Sequence, residues 1–134
     1  MAGDQRVAAL AKVPMFSGLS PRHLRKIVKA AGIDEYPEET EVVREGAYGQ
    51  TLFIILQGSV RVVRRGKTVS HLSVGDFFGE FAVIDDRPRT ASVISEGPLQ
   101  CLVLYRDDLR KVLTSDPGAA WEVLVTMASR YRAD

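Results

Sequence analysis

The sequence predicts a mainly β member of the α+β class. The expected architecture is an antiparallel β-roll or jelly roll of about eight strands, with N-terminal helices before it and two C-terminal helices after it. Three observations carry this. Short β-rich runs between residues 32 and 105 mostly end on glycine. Helical spacing of apolar residues is confined to the two ends of the chain. The length, 134 residues, suits one domain that buries a core without staples.

Residues 4–12, DQRVAALAK, read as a short helix, and Pro14 breaks it inside the apolar knuckle Val13-Pro14-Met15-Phe16. Ser20 offers a cap oxygen and Pro21 suits the first helical position, where no N–H partner is needed. Leu24, Ile27, Val28 and Ala31 then fall at helical spacing, and Gly32 marks the stop. Residues 1–31 are therefore the N-terminal helical segment.

The roll follows over residues 32–105. Val42 and Val43, just before Gly46, give a short strand. TLFIILQG ends at Gly58, SVRVVRRG at Gly66 and KTVSHLSVG at Gly75, as antiparallel strands joined by tight turns do. TASVISEG and LQCLVLY read as two further strands parted by Gly97-Pro98. Helix returns over 106–134. Asp107 and Asp108 favour a helix N-terminus, and Leu109, Val112 and Leu113 form its apolar stripe. Asp116-Pro117-Gly118 interrupts it. The last helix carries Ala120, Leu124, Met127, Ala128 and Tyr131 on one stripe, with Val123 beside it. No repeat or low-complexity tract is present.

Composition removes several classes of function. A formal charge of +1 announces neither nucleic acid nor a membrane surface as partner. No apolar run approaches the roughly 20 residues of a membrane span, and the N-terminus does not read as a signal peptide. Cys101 is the only cysteine, so no internal disulfide forms. A cytoplasmic protein is the simplest expectation. The two histidines, His23 and His71, have no metal-ligand spacing and read as surface or strand residues. No metal site, cofactor or catalytic group is expected.

One stretch carries chemistry: GDFFGEFAVIDDRPRTAS, residues 75–92. Gly79-Glu80 opens a short apolar piece that can form one or two helical turns, whose N-terminus would present free N–H groups to an anion. Gly79 lets a ligand approach the backbone. Arg89 returns after the turn with a guanidinium that forks onto two oxygens. Thr90 and Ala91 add further N–H groups. Glu80 repels phosphate but accepts from hydroxyls. Together they fit a ligand with phosphate and hydroxyl on neighbouring atoms, a sugar phosphate or a nucleotide. A second reading stays open at this point: a Glu80–Arg89 surface ion pair across a turn.

The stretch resembles the phosphate-binding cassette of the cyclic nucleotide-binding domain family. Phe78-Gly79-Glu80, Ala82 and Pro88-Arg89-Thr90-Ala91 match the cassette position by position. The likeness extends over nearly the whole chain, through Val13-Pro14-Met15-Phe16, Leu19-Ser20, Glu45-Gly46, Phe53, Ile55, Gly58, Val60 and Asp108-Leu109. It implies that Arg89 neutralises a cyclic phosphate and Glu80 binds the ribose 2′-hydroxyl. The N–H groups of Gly79, Thr90 and Ala91 would complete the cradle. Val60, Val62 and Phe78 would line the base pocket. Arg130 aligns with a position that reaches the base in some bacterial members. Phe81 and Val83 depart from the family's usual Leu or Met and Leu; the second belongs to the apolar hinge between cassette and last helix.

The resemblance implies a non-catalytic regulatory domain whose ligand is cyclic AMP, with cyclic GMP as the alternative because the Thr90 hydroxyl can meet a guanine 2-amino group. The last helix would fold over the base and control a partner protein or an attached effector. The chain would be a free-standing sensor or a piece of a larger protein. No helix-turn-helix is expected, and a homodimer through the terminal helices is compatible with the pattern. Two alternatives remain: a degenerate domain that serves only as an interaction module, and a cupin-type enzyme, for which the histidines are lacking.

Overall fold

The structure, a computed structural model, describes residues 3–85 and 87–130. Four α-helices and six strands lie among the described residues: α1 (Gly3–Ala11), α2 (Pro21–Ala30), β1 (Gly32–Tyr36), β2 (Glu41–Val43), β3 (Thr51–Arg64), β4 (Lys67–Leu72), β5 (Phe77–Phe78), β6 (Ser92–Tyr105), α3 (Arg106–Ser115) and α4 (Pro117–Arg130). A single 3-10 turn, Pro14–Phe16, stands where the apolar knuckle is predicted. All pairings are antiparallel. β3 and β6 run side by side from Thr51↔Tyr105 to Val63↔Ser92; β1 and β2 join β6, and β4 and β5 join β3. This is the mainly β roll with flanking helices that the sequence predicts.

The strands are fewer because TLFIILQG and SVRVVRRG form one strand, β3, as TASVISEG and LQCLVLY form β6. Gly58 does not end a strand; it bends one. Its φ is +92°, and a Cβ there would lie 2.4 Å from the Pro98 carbonyl oxygen. The register slips on both sides of Gln57, the mark of a bulge. Before it, Leu52, Ile54 and Leu56 join the core beneath the helices while Phe53 and Ile55 point into the roll. After it, Val60 and Val62 point into the roll, so the parity has switched. The continuous apolar run TLFIIL is the signature of a strand buried on both faces.

The helical side completes one core. Leu10, Val13, Met15, Phe16, Leu24, Ile27, Leu109, Ala119 and Val123 pack with Leu52, Ile54, Leu102 and Leu104. Helix α2 starts as its sequence predicts: Pro21 is its first residue and the Ser20 hydroxyl accepts from the His23 N–H at 3.4 Å. Pro117 and Gly118 lie inside the first turn of α4 rather than in a gap before it. The buried residues of α4 are Ala119 and Val123; of the predicted stripe Met127 packs against the same core while Leu124 is exposed. Ala119 is small enough to let α4 settle against the 3-10 turn, and that leaves Trp121, Leu124 and Val125 exposed. Tyr131 lies outside the described residues.

His23 is also a correction. It is 4% exposed rather than a surface residue. Its Nδ1 lies 2.6 Å from Glu122 Oε1, and its Nε2 lies 3.2 Å from Asp116 Oδ2 and 3.0 Å from Arg22 Nη2. Glu122 Oε1 also accepts from the Ser20 N–H at 3.0 Å, and Lys26 binds Asp116 Oδ2. This junction ties α2 to the corner between α3 and α4.

The hydrogen bond from His23 holds the Glu122 carboxyl below its ordinary range, and that from Lys26 does so for Asp116. Both folded values lie below the unfolded ones, so their stabilisation is complete above the usual carboxylate range and is lost as pH falls through the folded values. Glu122→Gln is therefore expected to be less stable than the parent at neutral pH, with the difference shrinking below about pH 4. Urea midpoints measured from pH 7 to pH 3 check this.

Candidate functional site

The stretch 75–92 leaves the roll at β5, where Phe78 pairs with Phe53 and their rings stack at 4.8 Å and 14°. Gly79 follows at φ +85°. A Cβ at this position would lie 2.4 Å from the Thr51 carbonyl oxygen and 2.6 Å from Arg89 Nη1. Only glycine leaves room for a guanidinium here. The predicted short helix after it is a single turn. The Ile84 and Asp85 N–H groups both donate to the Phe81 carbonyl, at 3.0 and 2.6 Å. A segment this short does not repay helix nucleation, so other groups hold it.

Arg89 is fixed at its backbone: its N–H donates to Ala47 O at 2.8 Å, and its carbonyl accepts from Gly46 N at 2.8 Å. Its Nη2 donates to Thr51 O at 3.0 Å, and the guanidinium lies against Gly49 as well as Gly79. The residue is half-buried, and that burial pulls its basicity below the ordinary value. No carboxylate among the described residues forms an ion pair with it. The Glu80–Arg89 ion pair does not form. Glu80 Oε2 instead accepts from the Met15 N–H at 2.9 Å, the donor that opens the 3-10 turn.

These groups border one cleft of about 470 Å³. Gly79, Glu80, Arg89, Thr90 and Ala91 form one wall; Val62, Leu72 and Phe78 form an apolar one. The structure thus brings seven of the nine predicted site residues together: Phe78, Gly79, Glu80, Arg89, Thr90, Ala91 and Val62. Two are not brought there. Val60 faces the same way as Val62 but sits further along β3, fully enclosed in the core of the roll. Arg130 borders a different cleft, with Ser17, Gly18 and Trp121, because α4 packs against the 3-10 turn and contributes nothing to the cassette cleft.

Two contacts of the cassette, those of Arg64 and Arg106, carry no sequence signal, whereas Val83 lies where the apolar hinge is expected. Arg64 Nε donates to the Thr90 carbonyl at 3.1 Å. Val83, the shortened hinge residue, is fully buried in the core shared with α2, α3 and α4. Arg106, the first residue of α3, donates to the carbonyls of Val83, Ala82 and Asp85 at 3.2, 3.3 and 3.0 Å. The Met15 contact is likewise invisible in sequence, since 65 residues separate it from Glu80.

Comparison with known proteins gives the same picture. The family model described as cyclic nucleotide-binding domain matches residues 33–116. Over 118 residues, 82% of the chain, the sequence is 35% identical to cGMP-dependent protein kinase, isozyme 1, of Drosophila melanogaster. Over 108 residues, 79% of the chain, it is 33% identical to the cAMP-dependent protein kinase regulatory subunit of Aspergillus fumigatus. The chain spans only 15% and 26% of those two relatives. A solved cyclic nucleotide-binding domain from Methylobacillus flagellatus superposes with a TM-score of 0.80 at 26% identity, covering 95% of this chain and 74% of that one.

The geometry around Gly79 makes a direct prediction. Gly79→Ala is expected to lose about 1–3 kcal/mol of stability through backbone strain and to push the Arg89 guanidinium off Thr51. Urea unfolding reads the first effect, and the Arg89 Nε–H resonance reads the second.

Proposed function

The chain belongs to the cyclic nucleotide-binding domain family, and on that basis we propose that it is a non-catalytic sensor that binds a cyclic nucleotide in the cassette cleft and reports it through α3 and α4. The observation that carries this reading is Arg89. A half-buried guanidinium with no carboxylate ion partner among the described residues has an unmet demand for an anion. Its fork suits a phosphate, which meets it in the same cleft as Glu80.

Glu80 supports the nucleotide over a bare phosphate. A carboxylate accepts hydrogen bonds and repels phosphate, so its presence at the cleft favours a ligand with a hydroxyl beside its anionic group. Oε2 already serves the Met15 N–H, and Oε1 has no partner among the described residues. A ribose hydroxyl at Oε1 would make Glu80 a bridge between ligand and 3-10 turn. Val62, Leu72 and Phe78 suit the flat face of a base.

We place cyclic AMP first, in keeping with the Aspergillus relative. Cyclic GMP comes second, in keeping with the Drosophila one and with the Thr90 side chain at the cleft. Binding would favour one arrangement of cassette and α4 over another and so shift their populations. The output would pass to a partner protein or an attached effector domain, met by the exposed Trp121, Leu124 and Val125 of α4. No helix among the described residues is long and apolar enough to cross a membrane.

Thermal unfolding with cyclic AMP, cyclic GMP and plain AMP tests the reading. The cyclic forms should raise the midpoint as mass action requires, and plain AMP should not. Arg89→Ala removes two charge-assisted hydrogen bonds worth roughly 1.5–3 kcal/mol each, so its affinity should fall by about two or more orders of magnitude. Calorimetric binding of Arg89→Ala equal to the parent's would sink the assignment of this cleft. No shift with any nucleotide would favour an interaction module instead.

A further inference from the structure

We propose that Arg106 is a positioning residue for this cleft: it holds the cassette turn in the shape that presents Glu80 and Arg89, and it joins that turn to α3. The proposal rests on reading the cleft as the cyclic nucleotide site.

Within the turn over residues 81–85 the Ile84 and Asp85 N–H groups close on the Phe81 carbonyl, a single turn too short to repay helix nucleation by itself. The last carbonyls of a helical turn need partners from outside it, as at any helix end. One guanidinium supplies them. Arg106 Nε donates to Val83 O at 3.2 Å, and Nη2 donates to Ala82 O at 3.3 Å and to Asp85 O at 3.0 Å. A fork of donors suits several acceptors at fixed angles, and its charge sits at the negative end of the turn's dipole. A lysine in its place is a single point of charge and cannot reach all of them.

Arg106 is itself well anchored. Its backbone N–H donates to Gln50 O at 2.9 Å, and the next carbonyl along, Thr51 O, is the one that receives Arg89 Nη2. Two arginines are thus referenced to consecutive carbonyls at the start of β3. Arg89 borders the cleft, whereas Arg106 is not among its lining residues and grips the turn elsewhere. Between them Val83 is buried in the helical core beside the residues of α3 and α4. A shift of the turn on ligand binding therefore has a polar link and an apolar link to the lid helices, and both begin at this turn.

Hydrogen exchange of residues 79–85 in the empty protein, with binding of cyclic AMP and cyclic GMP, tests this in the parent, Arg106→Lys and Arg106→Met. In both variants exchange over 79–85 should rise about tenfold or more while β3 and β6 keep the parent's protection. Affinity for the better cyclic nucleotide should fall about tenfold, and Arg106→Lys should recover part of the loss. At saturating ligand the shift of the Val125 methyl resonances seen in the parent should shrink in both. Unchanged exchange at 79–85 overturns the proposal, and so does parent-like affinity. Loss of protection spread evenly through β3 and β6 also overturns it, because that marks a general structural role. If Arg106→Met does not fold, Arg106→Lys decides alone. If the parent binds no cyclic nucleotide the functional reading fails, while exchange at 79–85 still decides whether Arg106 holds the turn.

Discussion

The structure depends on two long strands that bury both of their faces. β3 and β6 form the wall between the helical core and the interior of the roll. A strand exposed on one face alternates, but these cannot, and Gly58 solves the geometric problem this creates. By bending β3 against Pro98 it lets the first half serve both cores and turns Val60 and Val62 into the roll. The cassette leaves from this wall and returns to it, so its residues divide between the cores. Val83 goes to the helices, and Phe78 packs on the roll. The cleft lies at the seam between the two cores.

At that seam two charged groups are handled differently. Glu80 is satisfied by a backbone donor, so the empty protein leaves no carboxylate without a partner at that point. Arg89 is given a carbonyl, two glycines and no countercharge among the described residues. Burial without an anion weakens its hold on the proton and contributes nothing to the stability of the empty protein. A side chain kept at such a cost is what an anion-binding role, as proposed, would account for. The asymmetry between a satisfied carboxylate and an expectant guanidinium favours an anionic ligand over the mutual ion pair that the residue types alone allow.

Much of this was legible in the sequence, and the failures have physical causes. Caps and breakers placed the helix starts well, because Ser20-Pro21 and Pro14 act on their own neighbours. Gly-Glu and Pro-Arg-Thr-Ala gave the cleft wall for the same reason: the chemistry sits within one short segment. The bend at Gly58 was misread as a strand end, since a bulge and a turn use the same residue. Val60 lies deeper in the roll than Val62 because period two gives the side of a strand but not its depth. The stripe of α4 differs because apolar spacing does not reveal which face a small residue such as Ala119 selects for close packing. His23, Met15 and Arg106 could not be found at all, as each acts on a residue far away in the chain.

The distant contacts define what α4 would give up if it moved as proposed. For α4 to fold over the cleft it must leave the 3-10 turn, and Glu122 must give up the Ser20 N–H and the buried His23 ring. Asp116 at the α3–α4 corner is held in the same way by Lys26 and His23. These are links to α2, whereas the cassette turn is gripped by Arg106 of α3 and by the burial of Val83. Helix α4 is therefore held at the 3-10 turn and, through α3, at the cassette turn, and a ligand that meets only Arg89 acts on the second alone. Driving such an equilibrium from 1:99 to 99:1 requires about 5.5 kcal/mol of differential binding. Several charge-assisted bonds formed only in the liganded arrangement reach that magnitude, and one does not. A ligand that engages Arg89 alone should thus occupy the cleft without moving the lid, whereas one that also engages Glu80, and through it the 3-10 turn under α4, acts on both restraints at once.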